Sequence, residues 1–282
     1  MVHRAKAESI RYLAKNSLIF KIPISIFLKV SSIIDDVEGA VKIIENSFDE
    51  HLIIIRSSGA DEDCQYSSSA GEYESVLNVP SDSPKKITTA INIVIESYKK
   101  KRNFLPGDEV IIQEMVLNTT MSGVIFTHDL NTGAPYYVIN YDDQSGLTDT
   151  VTSGDGEHAN RTIYIHRNST NKLRSERFTK LLQAVQELER VMGSQFLDIE
   201  FALGKDLTPY LLQVRTITTQ PNWNRVITKR IDATLMGVQS FITERFKKLD
   251  GVYGKTTLLG QMPDWNPVEM IGRAPRALAT SL

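Results

Sequence analysis

Two apolar runs between residues 197 and 216 carry four polar side chains in a pattern that strongly constrains the fold. In the first run, Asp198 and Glu200 alternate with Leu, Ile and Phe, and in the second run Gln213 and Arg215 alternate with apolar residues. Alternation with a period of two is typical of half-buried strands. The turn-forming sequence GKDLTP lies between the runs at 204–209. The segment therefore predicts a β-hairpin.

The register of this hairpin decides whether the four polar side chains meet. We expect Leu203 to pair with Tyr210, with Leu212 and Val214 on the apolar face. This register makes two polar pairs on the other face, Glu200 with Gln213 and Asp198 with Arg215. One interpretation is a solvated face with a cross-strand ion pair. The other is a magnesium site, because two converging side-chain oxygens suit a hard cation.

Composition limits the classes of protein to consider. The chain has 282 residues, a net charge of −2 and 23% charged residues, which is ordinary for a globular protein. This charge gives no reason to expect a nucleic acid or a membrane as a partner. Cys64 is the single cysteine, so an internal disulfide framework is excluded and a reducing, cytoplasmic compartment is expected. No apolar run is long enough to span a bilayer.

Periodicity along the rest of the chain predicts a mixed α+β fold. Helices are expected at 4–14, from Ser83 to about 102, at 175–192 and at 231–249. The helix at 175–192 is expected to have an apolar stripe on one side and to stop at Gly193. Further strands are expected at 51–58, 109–117, 122–127, 135–142 and 161–166. In the last helix, the apolar stripe that includes Leu235, Val238 and Ile242 is expected to face inward.

The loop at 57–71 is rich in serine, glycine and alanine and follows Arg56 at the end of a predicted strand. Small residues let backbone N–H groups approach a phosphate closely, and an arginine adds a planar cationic fork. A flexible serine-rich turn explains the composition equally well. The acidic triplet Asp61–Asp63 opposes a pure anion site unless it faces away or meets a metal.

Three stretches, in this order, resemble the N-terminal nucleotide-binding domain of phosphoenolpyruvate synthase and pyruvate phosphate dikinase. They are IIIRSSGADEDCQYSSSAGEYESVLNV (53–79), VIIQEMVLNTTMSGVIFTHDLNTG (110–133) and LDIEFALGKDLTPYLLQVRTIT (197–218). TDTVTSG (148–154) and DWNPVEMIG (264–272) are similar to one branch, the glutamine kinase of capsule phosphoramidate synthesis. The resemblance implies an ATP-grasp fold (α+β, or α/β) with two subdomains and the nucleotide between them.

The resemblance also implies roles for individual residues. Glu200 and Gln213 match the residues that hold Mg²⁺ on the ATP phosphates, and Arg56 and Arg215 match the catalytic phosphate-binding arginines. The remaining nucleotide contacts are implied at Lys6, at Gly71 and Ser75 of the phosphate-covering loop, and at Gln113, Glu114 and Val116 of the adenine strand.

Three departures from the family pattern stand out. The glycines that normally surround the N-terminal lysine are missing around Lys6, and Glu72 replaces a usual glutamine. A carboxylate beside phosphates is unfavourable unless a metal intervenes. None of the five histidines follows a Gly-Gly pair, as the family's phosphocarrier histidine does.

We therefore expect ATP-grasp subdomains at 1–80 and 81–220, followed at 221–282 by the helical start of a truncated linker or substrate domain. The expected function is that of a kinase-type phosphotransferase half. It would use ATP and Mg²⁺ to phosphorylate a histidine on a missing carrier domain, and would be inactive without that domain. Pyruvate and glutamine both remain open as acceptors. The alternative is a non-catalytic ATP-binding module or an inactive fragment.

Overall fold

The computed structural model describes residues 6–49, 51–59, 74–146, 148, 161–217, 226–245, 247–248 and 250–251. The chain divides into two compact units, Met1–Ile227 and Thr228–Leu282. The described part contains nine strands: β1 (Ser25–Lys29), β2 (Leu52–Ser58), β3 (Ser75–Pro80), β4 (Glu109–Glu114), β5 (Met121–Phe126), β6 (Tyr136–Asp142), β7 (Arg161–His166), β8 (Leu197–Leu203) and β9 (Pro209–Thr216).

The helices in the same residues are α1 (Lys6–Leu13), α2 (Val30–Asp35), α3 (Val37–Ser47), α4 (Pro84–Lys99), α5 (Glu176–Met192) and α6 (Ile227–Arg245). The strands form two antiparallel sheets, and the predicted mixed α/β class is confirmed. Among the helices that the structure describes, none combines the length and apolar character needed to cross a membrane.

The first sheet has the strand order β1-β4-β2-β3 and is covered on both faces. One face packs on α2, α3 and α4 around a core that includes Ile55, Ile91 and Ile112. The opposite face carries Ile111, which packs against Ala7 of α1. Because alternate residues of β4 enter different cores, Val110, Ile111 and Ile112 are consecutive apolar residues in the sequence.

The N-terminal helix α1 is fastened to the first sheet by polar contacts. The Ala7 amide donates to the Ser58 hydroxyl at 3.0 Å. The two terminal guanidinium nitrogens of Arg11 donate to the two carboxylate oxygens of Glu109 at 2.9 and 2.6 Å. The Arg11 guanidinium also lies 4.3 Å from the centre of the Phe27 ring. These contacts hold the start of α1, where Lys6 lies, beside the end of β2.

The second sheet has the strand order β7-β6-β5-β8-β9, and one face packs on α5. This core includes Leu181 and Leu188 of α5 with Ile199 and Phe201 of β8. Gly123 lets β5 lie against β6, because a Cβ at this position would lie 2.0 Å from the Asn140 carbonyl oxygen. The helix α5 ends at Gly193 in the left-handed conformation, with φ of 62°, as the sequence predicts.

The subdomain boundary expected at residue 80 is not where the sheets divide. The helix α4 and the strand β4, which end at residues 99 and 114, belong to the first sheet and its core. The second sheet begins with β5 at Met121. The subdomain bounds 1–80 and 81–220 stay a prediction, and strand order depends on long-range pairing, which chain order alone does not specify.

The helix α6 confirms that residues near the C-terminal end are helical, but its bounds and exposure differ from the prediction. It covers Ile227–Arg245 and has no buried residue. Leu235, Val238 and Ile242, which were expected to face inward, are 39%, 45% and 45% exposed.

Candidate functional site

The hairpin of β8 and β9 forms with the predicted polar pairs. Glu200 lies opposite Gln213, and Asp198 lies opposite Arg215. Near the turn, however, Leu203 pairs with Pro209 and not with Tyr210 as predicted. The register shifts by one residue between Glu200 and Phe201. A β-bulge separates the part of the hairpin where the prediction was right from the part where it was wrong.

The bulge changes which residues of β9 face the core. Phe201 pairs with Leu211, so Leu212 is the extra residue of β9. As a result, Leu211 and Val214 both enter the core, although strict alternation would put them on opposite faces. The expectation that Leu212 shares the apolar face is therefore wrong. A bulge inserts one residue and turns the strand locally, and here it brings the Leu212 carbonyl to the polar side of the hairpin.

The pair formed by Arg215 and Asp198 is close and largely shielded from solvent. Nε and Nη2 of Arg215 both lie 2.6 Å from Oδ2 of Asp198. Asp198 is only 8% exposed, whereas the Arg215 side chain keeps 21% of its surface accessible. The carboxylate therefore holds one side of the guanidinium. A planar guanidinium can bind an anion along another edge while it keeps such a partner.

Arg56 connects the first sheet to this hairpin. Its side chain is 8% exposed, and its Nη1 lies 3.6 Å from Oε2 of Glu200. Its Nη2 donates to the Leu212 carbonyl at the bulge and, at 3.1 Å, to Oε1 of Gln113. The two sheets thus meet at a buried arginine that no sequence pattern had linked to Leu212.

Glu200 and Gln213 provide oxygens suited to a hard cation. The Glu200 side chain is 28% exposed, and its 3.6 Å separation from Arg56 exceeds a direct hydrogen bond. No cluster of three or more His, Cys, Asp or Glu residues able to hold a metal exists among the residues that the structure describes. Two side-chain oxygens without a full protein cage fit Mg²⁺, which usually keeps waters and takes its other ligands from phosphates.

The residues assigned to the adenine strand lie at and beyond the end of β4. Gln113 is 2% exposed and donates from Nε2 to the Ser25 hydroxyl at 3.0 Å. The Glu114 amide donates to the Ile24 carbonyl at 2.9 Å, and its carboxylate lies 2.7 Å from Nδ1 of His51. Val116 follows the strand and is half-buried.

Two further assigned residues flank Arg56. Ser75 is the first residue of β3, is exposed, and pairs directly with Arg56 across the strands. Lys6 begins α1 and is half-buried. Gly71, Glu72 and Asp61–Asp63 lie outside the described residues.

A second arginine, which is half-buried, lies where β5 and β7 end. Arg167 donates to both oxygens of Glu189 at 2.7 and 3.0 Å and to the Thr127 carbonyl at 3.0 Å. The Tyr137 hydroxyl donates to the same carboxylate at 3.1 Å, and burial raises the pKa of this hydroxyl above its ordinary value.

His128 lies close to this group. Burial, followed by the charge of Arg167, lowers the pKa of His128 to about 4, against an opposing hydrogen bond from the ring to the Gln195 carbonyl. The imidazole is therefore neutral near pH 7. It also stacks on Phe196 with the ring centres 4.4 Å apart.

Comparison with known proteins supplies an independent view of the chain. An uncharacterized phosphotransferase, YvkC, of Bacillus subtilis (strain 168) is 28% identical, over 59% of this chain and 24% of that protein. The present chain thus spans about a quarter of the length of this relative.

Among solved structures, PH1788 from Pyrococcus horikoshii Ot3 has a TM-score of 0.46 and 14% identity, covering 76% of this chain and 90% of that one. The D-alanyl-alanine synthetase A of Vibrio cholerae O1 biovar eltor str. N16961 has a TM-score of 0.43 and 14% identity, covering 81% and 59%.

The family model described as pyruvate phosphate dikinase, AMP/ATP-binding domain, matches residues 18–164. This range is just over half of the 282 residues and includes two of the three motif stretches, at 53–79 and 110–133. The hairpin lies beyond the match, but its polar pairs adjoin Arg56 inside it. The chain therefore belongs to the pyruvate phosphate dikinase AMP/ATP-binding domain family.

Proposed function

We propose that this chain is the ATP- and Mg²⁺-binding half of a dikinase-type phosphotransferase, and that it binds the nucleotide phosphates where Arg56 meets the β8–β9 hairpin. The observation that carries the proposal is the approach of Arg56 Nη1 to within 3.6 Å of Glu200, beside Gln213. In the proposal, two arginines and two side-chain oxygens, drawn from two sheets, together bind the phosphates and Mg²⁺. Phosphoryl transfer needs mainly such positioning and neutralisation of charge.

In this proposal each residue has a distinct task. Glu200 and Gln213 hold Mg²⁺, which when bound neutralises and orients the phosphate oxygens. Arg56 and Arg215 donate to the phosphates, while Asp198 keeps the Arg215 guanidinium oriented. Lys6, Gly71 and Ser75 lie on segments assigned to the phosphates, and Gln113, Glu114 and Val116 on the segment assigned to adenine.

The carrier of the transferred phosphoryl group is proposed to be a histidine outside this sequence. Three of the five histidines are in the described residues, and each has a structural contact. His51 pairs with Glu114, His128 is buried and neutral, and His166 accepts a hydrogen bond from the Asn168 amide at 3.3 Å. In the proposed reaction, ATP and water yield AMP, free phosphate and a phosphoryl group on the carrier histidine, which passes that group to pyruvate or glutamine. A cytoplasmic location is part of the same proposal.

Calorimetry with and without Mg²⁺ tests the binding site. Wild-type chain should bind ATP with useful affinity only when Mg²⁺ is present, and Glu200→Ala should remove this dependence. Glu96→Ala, which changes an exposed glutamate on α4, is the matched control and should leave binding unchanged. Equal ATP affinity in EDTA would contradict the metal assignment.

A second assay separates a catalytic half from a non-catalytic ATP-binding module. Alone, the chain should give no sustained AMP production with pyruvate or glutamine. With a separately supplied histidine-domain protein of this family, slow AMP release is expected. Tight ATP binding without turnover under any pairing would favour the module. Steady turnover by the chain alone would contradict the need for an external carrier.

A further inference from the structure

We propose that Gln113, supported by Ser25, is a positioning residue that holds Arg56 toward the phosphates, and that its side chain does not read the adenine base. The inference rests on the proposed function of the Arg56 site. It assigns to Gln113 a different role from the adenine contact that family resemblance implies.

The geometry of the first sheet brings these three side chains to one face. Ser25 lies directly opposite Gln113 across β1 and β4. Arg56 lies opposite Ile111, two residues from Gln113, so Arg56 and Gln113 are diagonal neighbours. Diagonal neighbours in an antiparallel sheet are within reach of long side chains.

Hydrogen bonds join the three side chains into a directed chain. The Ser25 hydroxyl donates to the Pro23 carbonyl at 2.8 Å and accepts from Nε2 of Gln113 at 3.0 Å. The other end of the amide, Oε1, accepts from Nη2 of Arg56 at 3.1 Å. Ser25 thereby fixes which end of the Gln113 amide faces the arginine.

Burial decides between the two roles of Gln113. The residue is 2% exposed, and both ends of its amide are engaged by protein groups. Each end keeps one further N–H or lone pair, but because the amide is buried, a base could reach it only if the groups packed around Gln113 moved apart. The same contacts explain why Arg56 keeps one orientation despite its several rotatable bonds.

The two acceptors on Nη2 also orient the rest of the guanidinium. Gln113 and the Leu212 carbonyl are both neutral acceptors, and both bind Nη2. Nη1 is thereby directed to the side of Glu200. If Arg56 paired with the carboxylate alone, attraction would draw it away from a phosphate. The Gln113 and Leu212 acceptors hold the arginine in place without neutralising its charge.

A series of nucleotides distinguishes positioning of Arg56 from recognition of adenine. We would measure the affinities of wild type, Gln113→Leu and Ser25→Ala for Mg-ATP, Mg-ADP, AMP and adenosine. Gln113→Leu should weaken the affinity for Mg-ATP about tenfold, which is in the range expected for a hydrogen bond to a charged group. Adenosine affinity should change less than about twofold, because it has no phosphate. Ser25→Ala should also weaken the affinity for Mg-ATP, by roughly two- to threefold.

A double variant separates positioning of Arg56 from a general effect of Gln113 on the fold. The measured quantity is the Mg-ATP affinity of the double variant relative to the single variants. In an Arg56→Met background, Gln113→Leu should cause no further loss of Mg-ATP affinity, because the residue it positions is gone. Gln183→Leu on the exposed surface of α5 is the matched control and should leave all affinities unchanged. Thermal unfolding without nucleotide checks that each variant folds. If Gln113→Leu does not fold, the inference is tested with Ser25→Ala.

Each contrary result has a clear meaning. Equal losses for adenosine and Mg-ATP in Gln113→Leu would show an adenine contact and overturn the inference. Unchanged Mg-ATP affinity in both Gln113→Leu and Ser25→Ala, with normal binding by wild type, would overturn the inference alone. Wild-type protein with no affinity for Mg-ATP would overturn the proposed function and this inference together.

Discussion

Arg56 and Arg167 each meet a glutamate, but the two sites differ in the distance between the charges and in the exposure of the glutamate. Nη1 and Nη2 of Arg167 lie 2.7 and 3.0 Å from Oε1 and Oε2 of Glu189. The Glu189 side chain is 7% exposed. Arg56 lies 3.6 Å from Glu200, which is 28% exposed.

The surroundings of the two glutamates strengthen the contrast. Glu189 also accepts from the Tyr137 hydroxyl, so its oxygens are engaged inside the protein. Glu200 faces Gln213 across the hairpin, and its separation from Arg56 is too long for a direct hydrogen bond. A close, shielded ion pair holds two parts of the protein together, whereas Glu200, which is more exposed and farther from its arginine, is better placed to contact a ligand. We therefore interpret the Arg167 cluster as structural and the Arg56 cluster as functional.

The largest expected effect tests the structural side of this comparison. Arg167→Met should lower the free energy of unfolding by about 3–5 kcal/mol, because it leaves the Glu189 carboxylate buried without its cation. Denaturant unfolding measures the change. Where the variant remains folded, its Mg-ATP affinity should match that of wild type. A large loss of nucleotide affinity in folded protein would show that the two clusters are not separate in function.

The next effect tests the functional side. Arg215→Lys should weaken Mg-ATP binding by about 2–3 kcal/mol, or roughly 30- to 150-fold, because a lysine cannot reproduce the planar fork between Asp198 and a phosphate. Calorimetry measures the affinity, and Arg190→Lys on the exposed side of α5 is the control. If Arg215 serves only to pair with Asp198, the nucleotide affinity will stay at the wild-type value.

A smaller effect concerns the pH dependence of stability near the Arg167 cluster. Because the pKa of His128 falls from 6.5 to about 4 on folding, the unfolded chain binds more protons between these values. This contribution to stability is complete above pH 6.5 and is lost as the pH falls toward 4. The full shift corresponds to about 3 kcal/mol, which solvent screening at the ring reduces to about 1–2 kcal/mol.

Urea unfolding at pH 4.5 and 7 measures this dependence. His128→Asn keeps a donor for the Gln195 carbonyl but cannot titrate, so the variant should lose less stability than wild type on acidification. Equal losses in both proteins would mean that His128 does not contribute to the acid sensitivity.

The smallest expected effect belongs to an exposed ion pair that contrasts with the ion pairs of Arg56 and Arg167. Arg161 lies 2.7 Å from Asp143 but is 47% exposed, and Asp143 also pairs with Arg177 at 2.9 Å. Arg161→Met should change the free energy of unfolding by only about 0–1 kcal/mol, because solvent screens the pair and Arg177 remains. Chemical unfolding at neutral pH measures it. If Arg161→Met lowered the free energy of unfolding as much as Arg167→Met, burial would not explain the difference between the ion pairs.

The sequence by itself determined the features that depend on short-range periodicity. Alternation fixed the two strands of the hairpin and the polar pairs of Glu200 with Gln213 and Asp198 with Arg215. The apolar stripe of α5 and its stop at Gly193 were predicted for the same reason. Three ordered motifs were sufficient to indicate the family, which the family model confirms.

Only the tertiary structure decided how distant segments combine. A period-two pattern does not predict the bulge at Leu212. The extra residue shifts the pairing of β8 with β9 but leaves no mark on the composition of either strand. The strand β4 belongs to the first sheet. Its alternate residues fill two cores, one beside α4 and the other beside α1.

The contacts of Arg56 were likewise beyond sequence reasoning. Its partners, Gln113 and Leu212, are 57 and 156 residues away. Local pattern carries no information about such separations, because side chains this distant meet only when two sheets pack. The sequence thus indicated candidates for phosphate binding, and the fold decided which protein groups contact them.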